Sequence, residues 1–298
     1  MHSTESLNPE LAEIDSWPTL QAVEAMLDGQ IAAIASIKSQ TALIANAAEA
    51  SALLLQNGGR LIYVGAGTSG RVAVQDGVEL GPTFGWPADR LAYLMAGGTD
   101  ALMHSVEGAE DDGDAARSQI AALQIERNDI VIGVAASGKT QFTLSAIRSA
   151  RELGALTIAI ANNAGTPLLA AAEHPLLAAT GSEAIAGSTR MKAGTAQKAM
   201  LNLLSTAIML RLGRVYRGLM IDMVISNDKL LNRAYSIVET LSGCSEAAAI
   251  DALRLAKNDI KTAVLIALGQ TPDAAAAMLE RHQGILREAI TAMDRGPL

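Results

Sequence analysis

Two short stretches of the chain carry residues suited to holding an anion. Residues 61–71 read LIYVGAGTSGR, and residues 130–140 read IVIGVAASGKT. Each joins an apolar run to a turn of small residues and then to a helical pattern. A buried strand that ends this way delivers the chain to a helix N-terminus, where unpaired N–H groups attract negative charge. In a parallel sheet such turns lie beyond the strand ends, where ligands bind. Gly67, Thr68 and Ser69 supply backbone and hydroxyl donors in the first stretch, and Ser137, Gly138, Lys139 and Thr140 do so in the second. Together they can surround one phosphate group.

Both stretches also mimic nucleotide motifs. Gly65, Gly67 and Gly70 satisfy G-x-G-x-x-G, yet the acidic position expected about twenty residues on falls in a Gly/Pro-rich loop around residues 85–89. Residues 133–140 are formally GxxxxGKT, but the intervening loop lacks glycine and no companion strand-end Asp stands out. A sugar phosphate suits the pair of loops better than a dinucleotide or a nucleoside triphosphate.

Acid–base chemistry needs carboxylates near such an anion site. Glu79 lies at the end of the first expected helix, and Glu110 lies in VEGAEDD after the second expected strand. Two carboxylates can divide the roles of acid and base when their environments differ. Asp76, Glu107, Asp111 and Asp112 compete with them, and either glutamate taken alone reads more readily as a surface side chain. His104 and His174 read as structural. Ser69 and Ser137 have neither a G-x-S-x-G setting nor an evident His partner, so they read as ligand donors. Residues 182–198, SEAIAGSTRMKAGTAQK, place Glu183, Ser188, Arg190 and Lys192 beside a helix start. This segment is either a solvated helix end or a clamp over the substrate. No cluster of metal-ligating residues appears, so no metal or other cofactor is expected.

The elements that must position these residues alternate. Apolar strands are expected at 61–64, 91–95, 129–135, 156–161 and 175–179. Helical patterns are expected at 71–80, 101–111, 113–123, 141–153 and 167–172. This is the pattern of an α/β three-layer sandwich with a mostly parallel five-stranded sheet. Residues 1–18 read as a polar arm, and 19–55 as a long alanine-rich helical region broken near Asp28–Gly29. Residues 81–87 read as a loop, and 187–213 become a long helix. Beyond Asn227 only short helices are expected. The resulting organisation is an N-terminal arm with helices (1–55), a phosphosugar-binding domain (56–235) and a small C-terminal helical lobe (236–298).

Bulk properties narrow the partners. The 298 residues carry a formal net charge of -8, and no long Lys/Arg run compensates, so a nucleic-acid partner is not expected. The first residues lack a basic region followed by an apolar run, and the most apolar helical stretches contain Asn, Ser, Thr and Arg. A cytoplasmic protein that does not enter the membrane is therefore expected. The one cysteine, Cys244, allows no intrachain disulfide.

Four runs, RLIYVGAGTSGR (60–71), VEGAED (106–111), GVAASGK (133–139) and GSTRMKAGTAQK (187–198), closely resemble the N-acetylmuramic acid 6-phosphate etherases. The likeness extends over nearly the whole chain, including the helical tail. It implies the sugar isomerase (SIS) fold and cleavage of the D-lactyl ether of N-acetylmuramic acid 6-phosphate to N-acetylglucosamine 6-phosphate and D-lactate. By the same resemblance Glu79 matches the catalytic acid and Glu110 the second carboxylate, the base. A homodimer with sites near the subunit interface is also implied, with residues 19–55 and 190–212 as candidate interface helices. The chain departs from the family around Glu79, where Gly77-Val78 replaces an Ala-Ser-like pair and Leu80-Gly81-Pro82 replaces prolines. Read without the resemblance, the same residues also fit an aldose–ketose phosphate isomerase or a non-catalytic sugar-phosphate sensor.

Overall fold

The structure is a computed structural model that describes residues 3–294. The first two positions of the expected arm and the last four of the expected lobe lie outside these residues. The chain forms two compact units: residues 1–77 with 88–208, and residues 78–87 with 209–298. The helices before residue 57 thus group with the sheet, and everything from Met209 onward groups with the helical lobe.

In the first unit, helices α1 (Thr19–Ser36) and α2 (Thr41–Gln56) precede strand β1 (Leu61–Gly65) and helix α3 (Gly67–Val78). The segment Val78–Pro87, which belongs to the second unit, carries the short helix α4 (Leu80–Phe84). The first unit resumes with β2 (Leu91–Met95), α5 (Gly113–Ala122), β3 (Ile130–Val134), α6 (Gln141–Glu152), β4 (Leu156–Ala161), α7 (Pro167–Ala171), β5 (His174–Leu177) and α8 (Lys192–Arg211), whose last three residues belong to the second unit. The sheet order is β2-β1-β3-β4-β5, and every pairing is parallel. β1, β3 and β4 are buried along their whole length, as strands covered on both faces must be. Ile62, Val64, Val131 and Ala159 face a core shared with Ala116 and Ile120 of α5 and with Phe142 and Ile147 of α6. Tyr63 points the other way, to Asp76 of α3.

The strand order places the site. From β1 the chain steps to β2 on one side, then returns across β1 to β3 on the other. The reversal falls between β1 and β3, and a crevice forms outside the strand ends at such a point. The pairing Gly65↔Val134 brings the two phosphate-loop candidates out side by side.

The structure alters two local expectations here. α1 runs through Gly29 without a break; a Cβ there would lie 3.4 Å from Lys192 Cδ, so the glycine admits a close neighbour. The break falls instead at a 3-10 turn, Ile37–Gln40. Residues 101–111, expected as a helix, form only the 3-10 turns Thr99–Leu102 and Ala109–Asp111. Positive-φ glycines precede both turns, Gly97 and Gly98 the first and Gly108 the second.

The second unit adds a hairpin, β6 (Val215–Tyr216) with β7 (Leu219–Met220), and helices α9 (Asp228–Ser242), α10 (Glu246–Leu255), α11 (Ile260–Ala267), α12 (Pro272–Arg281) and α13 (Leu286–Asp294). Arg217 and Gly218 both have positive φ, as a two-residue hairpin turn of type I′ requires. Side-chain caps from Asn227, Ser245, Asp259 and Thr271 start α9 to α12. Val238, Leu253, Val264 and Leu286 lie in one core. Among the described residues, no single helix is long and apolar enough to cross a membrane.

Candidate functional site

β1 ends at Gly65, and α3 starts at Gly67 with φ +53°. The first helical bond runs from Gly70 N–H to the Ala66 carbonyl at 3.1 Å. The N–H groups of Gly67, Thr68 and Ser69 therefore have no acceptor inside the helix, as an anion cradle requires. The flanking glycines serve packing. A Cβ on Gly65 would stand 2.7 Å from Gly70 Cα, and one on Gly70 would stand 2.9 Å from the Gly65 carbonyl. Helix and strand touch backbone to backbone here, which accounts for the G-x-G-x-x-G spacing without a dinucleotide.

The second loop is held as firmly. Ala135 N–H donates to the Ile160 carbonyl at 3.0 Å, and Leu168 N–H donates to the Gly138 carbonyl at 3.1 Å. Gly138 has φ +62°, and a Cβ there would meet Thr166 Oγ1 at 2.3 Å. Ser137 Oγ accepts from Lys139 N–H at 3.2 Å. Thr140 starts α6 without a side-chain cap bond, so its hydroxyl, like the exposed Lys139 ammonium, is not used by the helix.

A cavity of about 380 Å³ opens at the cradle, lined among others by Gly67, Arg71, Met95, His104, Glu107 and Glu110. Glu110 is exposed, in the turn Ala109–Asp111, and Gly108 before it is left-handed at φ +71°. Arg71 fixes the preceding segment. Its Nε donates to the Leu102 carbonyl at 3.0 Å, and its Nη2 donates to the carbonyls of Ala101 (2.9 Å) and His104 (3.2 Å). Asp112, one of the competing carboxylates, caps α5 by accepting from Ala115 N–H at 2.8 Å. His174 begins β5.

The segment before α8 divides its residues. Glu183 is fully buried, and its two oxygens accept from the N–H groups of Lys192 and Ala193, each at 2.9 Å. Lys192 Nζ donates to the Ser182 carbonyl at 2.8 Å. Both side chains expected at the substrate are thus engaged inside the segment, where Glu183 closes the N-terminus of α8. Arg190 is exposed and Ser188 half-buried. A Cβ on Gly194 would lie 3.2 Å from Thr68 Cγ2, so the start of α8 abuts the cradle.

Glu79 lies just beyond α3, in the second unit, exposed and in the turn leading to α4. Residues 81–87, expected as a loop, contain most of that short helix.

Three supports escape sequence reasoning. Thr4, in the arm, is fully buried. Asn163 Nδ2 donates to its Oγ1 at 3.0 Å, and its own carbonyl accepts from Gly187 N–H at 3.1 Å. Asp76 accepts from Tyr63 Oη at 2.9 Å, Asn202 Nδ2 at 2.7 Å and Ser205 Oγ at 3.0 Å, joining β1, α3 and α8. Burial raises its pKa above the ordinary carboxylate value despite these bonds. Arg71 is the third, visible in sequence only as the last residue of a motif. Among the described residues, no group of three or more His, Cys, Asp or Glu side chains is placed to hold a metal ion.

Comparison with known proteins agrees with this arrangement. Residues 43–151 match the glucokinase regulatory protein N-terminal SIS domain, 106–207 the SIS domain, and 217–262 the C-terminal lid domain of glucokinase regulatory protein. A solved structure from E. coli CFT073 superposes with a TM-score of 0.51 at 16% identity, covering 67% of this chain and 93% of that one. The fold and the strand-end loops thus define a SIS-domain protein. N-acetylmuramic acid 6-phosphate etherases from Deinococcus radiodurans and Streptomyces coelicolor are 45% and 44% identical, over 96% and 97% of this chain and 94% of each relative. One from Erwinia tasmaniensis is 44% identical over 99% of this chain and 96% of its own. The chain belongs to the N-acetylmuramic acid 6-phosphate etherase family.

Proposed function

We propose that this chain is a carbon–oxygen lyase that converts N-acetylmuramic acid 6-phosphate and water to N-acetylglucosamine 6-phosphate and D-lactate, in the cytoplasm. Near-full-length identity to etherases carries the substrate assignment. The observation that carries the chemistry is the cavity in which Glu110 stands with Gly67 at the mouth of the cradle. The 6-phosphate sits on the N–H groups of residues 67–69, with Ser137, Lys139, Thr140, Ser188 and Arg190 as further donors. In the open-chain aldehyde the C2 proton is acidic, and Glu110 removes it. The C3–O bond then breaks, Glu79 gives a proton to the departing ether oxygen, and D-lactate leaves. Water adds at C3 of the unsaturated aldehyde, and a proton returns to C2. The reaction has no net redox change and needs no cofactor.

α3 is about 18 Å long at 1.5 Å per residue. Its start forms the cradle and its end leads to Glu79, a separation longer than one sugar phosphate. This supports a homodimer in which a second copy brings Glu79 to the cradle. The exposed stripe Leu20, Val23, Leu27, Ile31 and Ile34 on α1 suits an apolar partner surface of that kind. Incubating the protein with N-acetylmuramic acid 6-phosphate tests the function: equal amounts of D-lactate and N-acetylglucosamine 6-phosphate are expected. A sugar-phosphate isomer appearing without lactate would replace this reading with an isomerase.

A further inference from the structure

The segment Val78–Pro87 is built into the helical unit, and one side chain of that unit grips it. Arg214 Nη1 donates to the carbonyls of Phe84 at 2.7 Å and Gly85 at 3.0 Å. Its guanidinium also lies 5.1 Å from the centroid of the buried Trp86 ring, a cation–π distance. Val224 N–H donates to the Pro82 carbonyl at 3.1 Å. Gly85 is left-handed at φ +60°, and a Cβ on it would stand 2.4 Å from the Asp222 carbonyl oxygen. Asp222 in turn accepts from Lys261 Nζ at 2.8 Å, and Lys261 Nζ also donates to the Gly284 carbonyl at 3.0 Å. Lys261 stands on α11. Polar contacts from Arg214 and Val224 therefore hold the segment that contains Glu79, and Asp222, against which Gly85 packs, is itself tied to α11.

We propose that Arg214 is a positioning residue for Glu79, and that holding this glutamate is a function of the helical unit. The proposal rests on the reading of Glu79 as the acid that protonates the leaving ether oxygen. Within Val78–Pro87 the short helix α4 bonds only its own backbone, as in Thr83 N–H to the Glu79 carbonyl at 3.2 Å, and the Glu79 side chain makes no cap bond in the turn it begins, so Arg214 and Val224 are what tie this helix to the rest of the helical unit. A guanidinium suits the task because its rigid fork bonds two successive carbonyls while its face stacks on an aromatic ring. Lysine offers one compact charge and cannot reproduce both.

The test uses full-length Arg214→Lys and Arg214→Ala, with Gly85→Ala as a variant that displaces the same turn from the Asp222 carbonyl. Each is assayed for lactate release, for KM, and for exchange of the substrate C2 proton with D2O. Misplacing a catalytic group by an ångström costs about 100-fold in rate, so lactate release should fall between about 10- and 100-fold. KM and C2 exchange should stay within about twofold, because the cradle and Glu110 lie in the other unit. Unreacted substrate would then accumulate deuterium at C2. In a Trp17→Phe background the remaining Trp86 emission should shift in Arg214→Lys. The proposal is overturned if Arg214→Ala releases lactate at the wild-type rate. It is also overturned if lactate release, KM and exchange all worsen together along with a lower unfolding midpoint, the result of a merely structural role. Glu79→Gln runs in parallel: wild-type lactate release there removes the acid role of Glu79 itself, whereas an inactive Glu79→Gln beside an unaffected Arg214→Ala removes only the role of Arg214.

Discussion

Replacing Gly70 by alanine probes the cradle without touching a donor. The added Cβ would stand 2.3 Å from Met95 Sδ and 2.9 Å from both the carbonyl carbon and the oxygen of Gly65. The methionine tip can swing aside, but the β1 backbone cannot. α3 must therefore move off the strand by about half an ångström to restore ordinary contact. Overpacking of this kind costs about 1–3 kcal/mol. Exchanging glycine for alanine inside a helix returns about 1 kcal/mol. The net loss of stability is then within about 2 kcal/mol, and the protein stays folded. The N–H groups of Thr68 and Ser69 move with the helix, and a shift of that size at a bound group is worth about tenfold in affinity. KM for the substrate and the inhibition constant of inorganic phosphate should both rise by that factor, while kcat changes less. Steady-state kinetics with a urea unfolding curve measures both. A folded Gly70→Ala with unchanged KM and unchanged phosphate inhibition would refute the placement of the 6-phosphate at this helix start.

Other perturbations test other parts. In Glu183→Gln an amide NH₂ replaces one of the two oxygens that accept from α8, which should lower unfolding stability by about 3 kcal/mol; a urea midpoint at the wild-type value would contradict the capping role. Burial pushes the Asp129 carboxyl up, but bonds from Arg60 and from the N–H groups of Glu126 and Arg60 outweigh it and hold it below the ordinary range. That stabilisation is present above the unfolded-state pKa of about 3.9 and is lost as pH falls through the lower folded value. The stability gap between wild type and Asp129→Asn should therefore be full at neutral pH and shrink in acid, and a gap that stays constant down to the acid transition would refute it. Glu79→Gln and Glu110→Gln should each be inactive alone. If sites are shared between two copies, co-refolding the two variants should restore about one quarter of the wild-type activity, since half the dimers are mixed and one site in each is intact; no recovery would place both carboxylates in one chain's site.

How far the molecule can be read from its sequence depends on the range of the interaction concerned. β2 and β4 fall at the expected residues because short apolar runs between turn residues are local signals. The unit of β1 and α3 was legible for the same reason: strand, small-residue turn and helix are contiguous. Residues 101–111 were not, because a polar pattern that fits a helix is broken inside the stretch by left-handed Gly108. Gly29 misled in the opposite direction, since its cost inside α1 is offset by close packing whose partner, Lys192, is far away in sequence. Glu183 shows the limit most clearly. A carboxylate beside a helix start and a basic residue reads as a ligand contact, and only the fold reveals that each of its oxygens accepts a backbone N–H of α8. Thr4 with Asn163, Asp76 with Asn202, and Arg214 with Phe84 are pairs more than a hundred residues apart, and no periodicity announces them.

The most direct test of the central claim is turnover of N-acetylmuramic acid 6-phosphate in H₂¹⁸O, followed by mass spectrometry of both products. Elimination and hydration at the cradle break the C3–O bond, so the label should appear at C3 of N-acetylglucosamine 6-phosphate while D-lactate keeps the original ether oxygen. Label in the lactate hydroxyl, with none at C3 of the sugar, would mean that the lactyl carbon is attacked instead and would contradict the account.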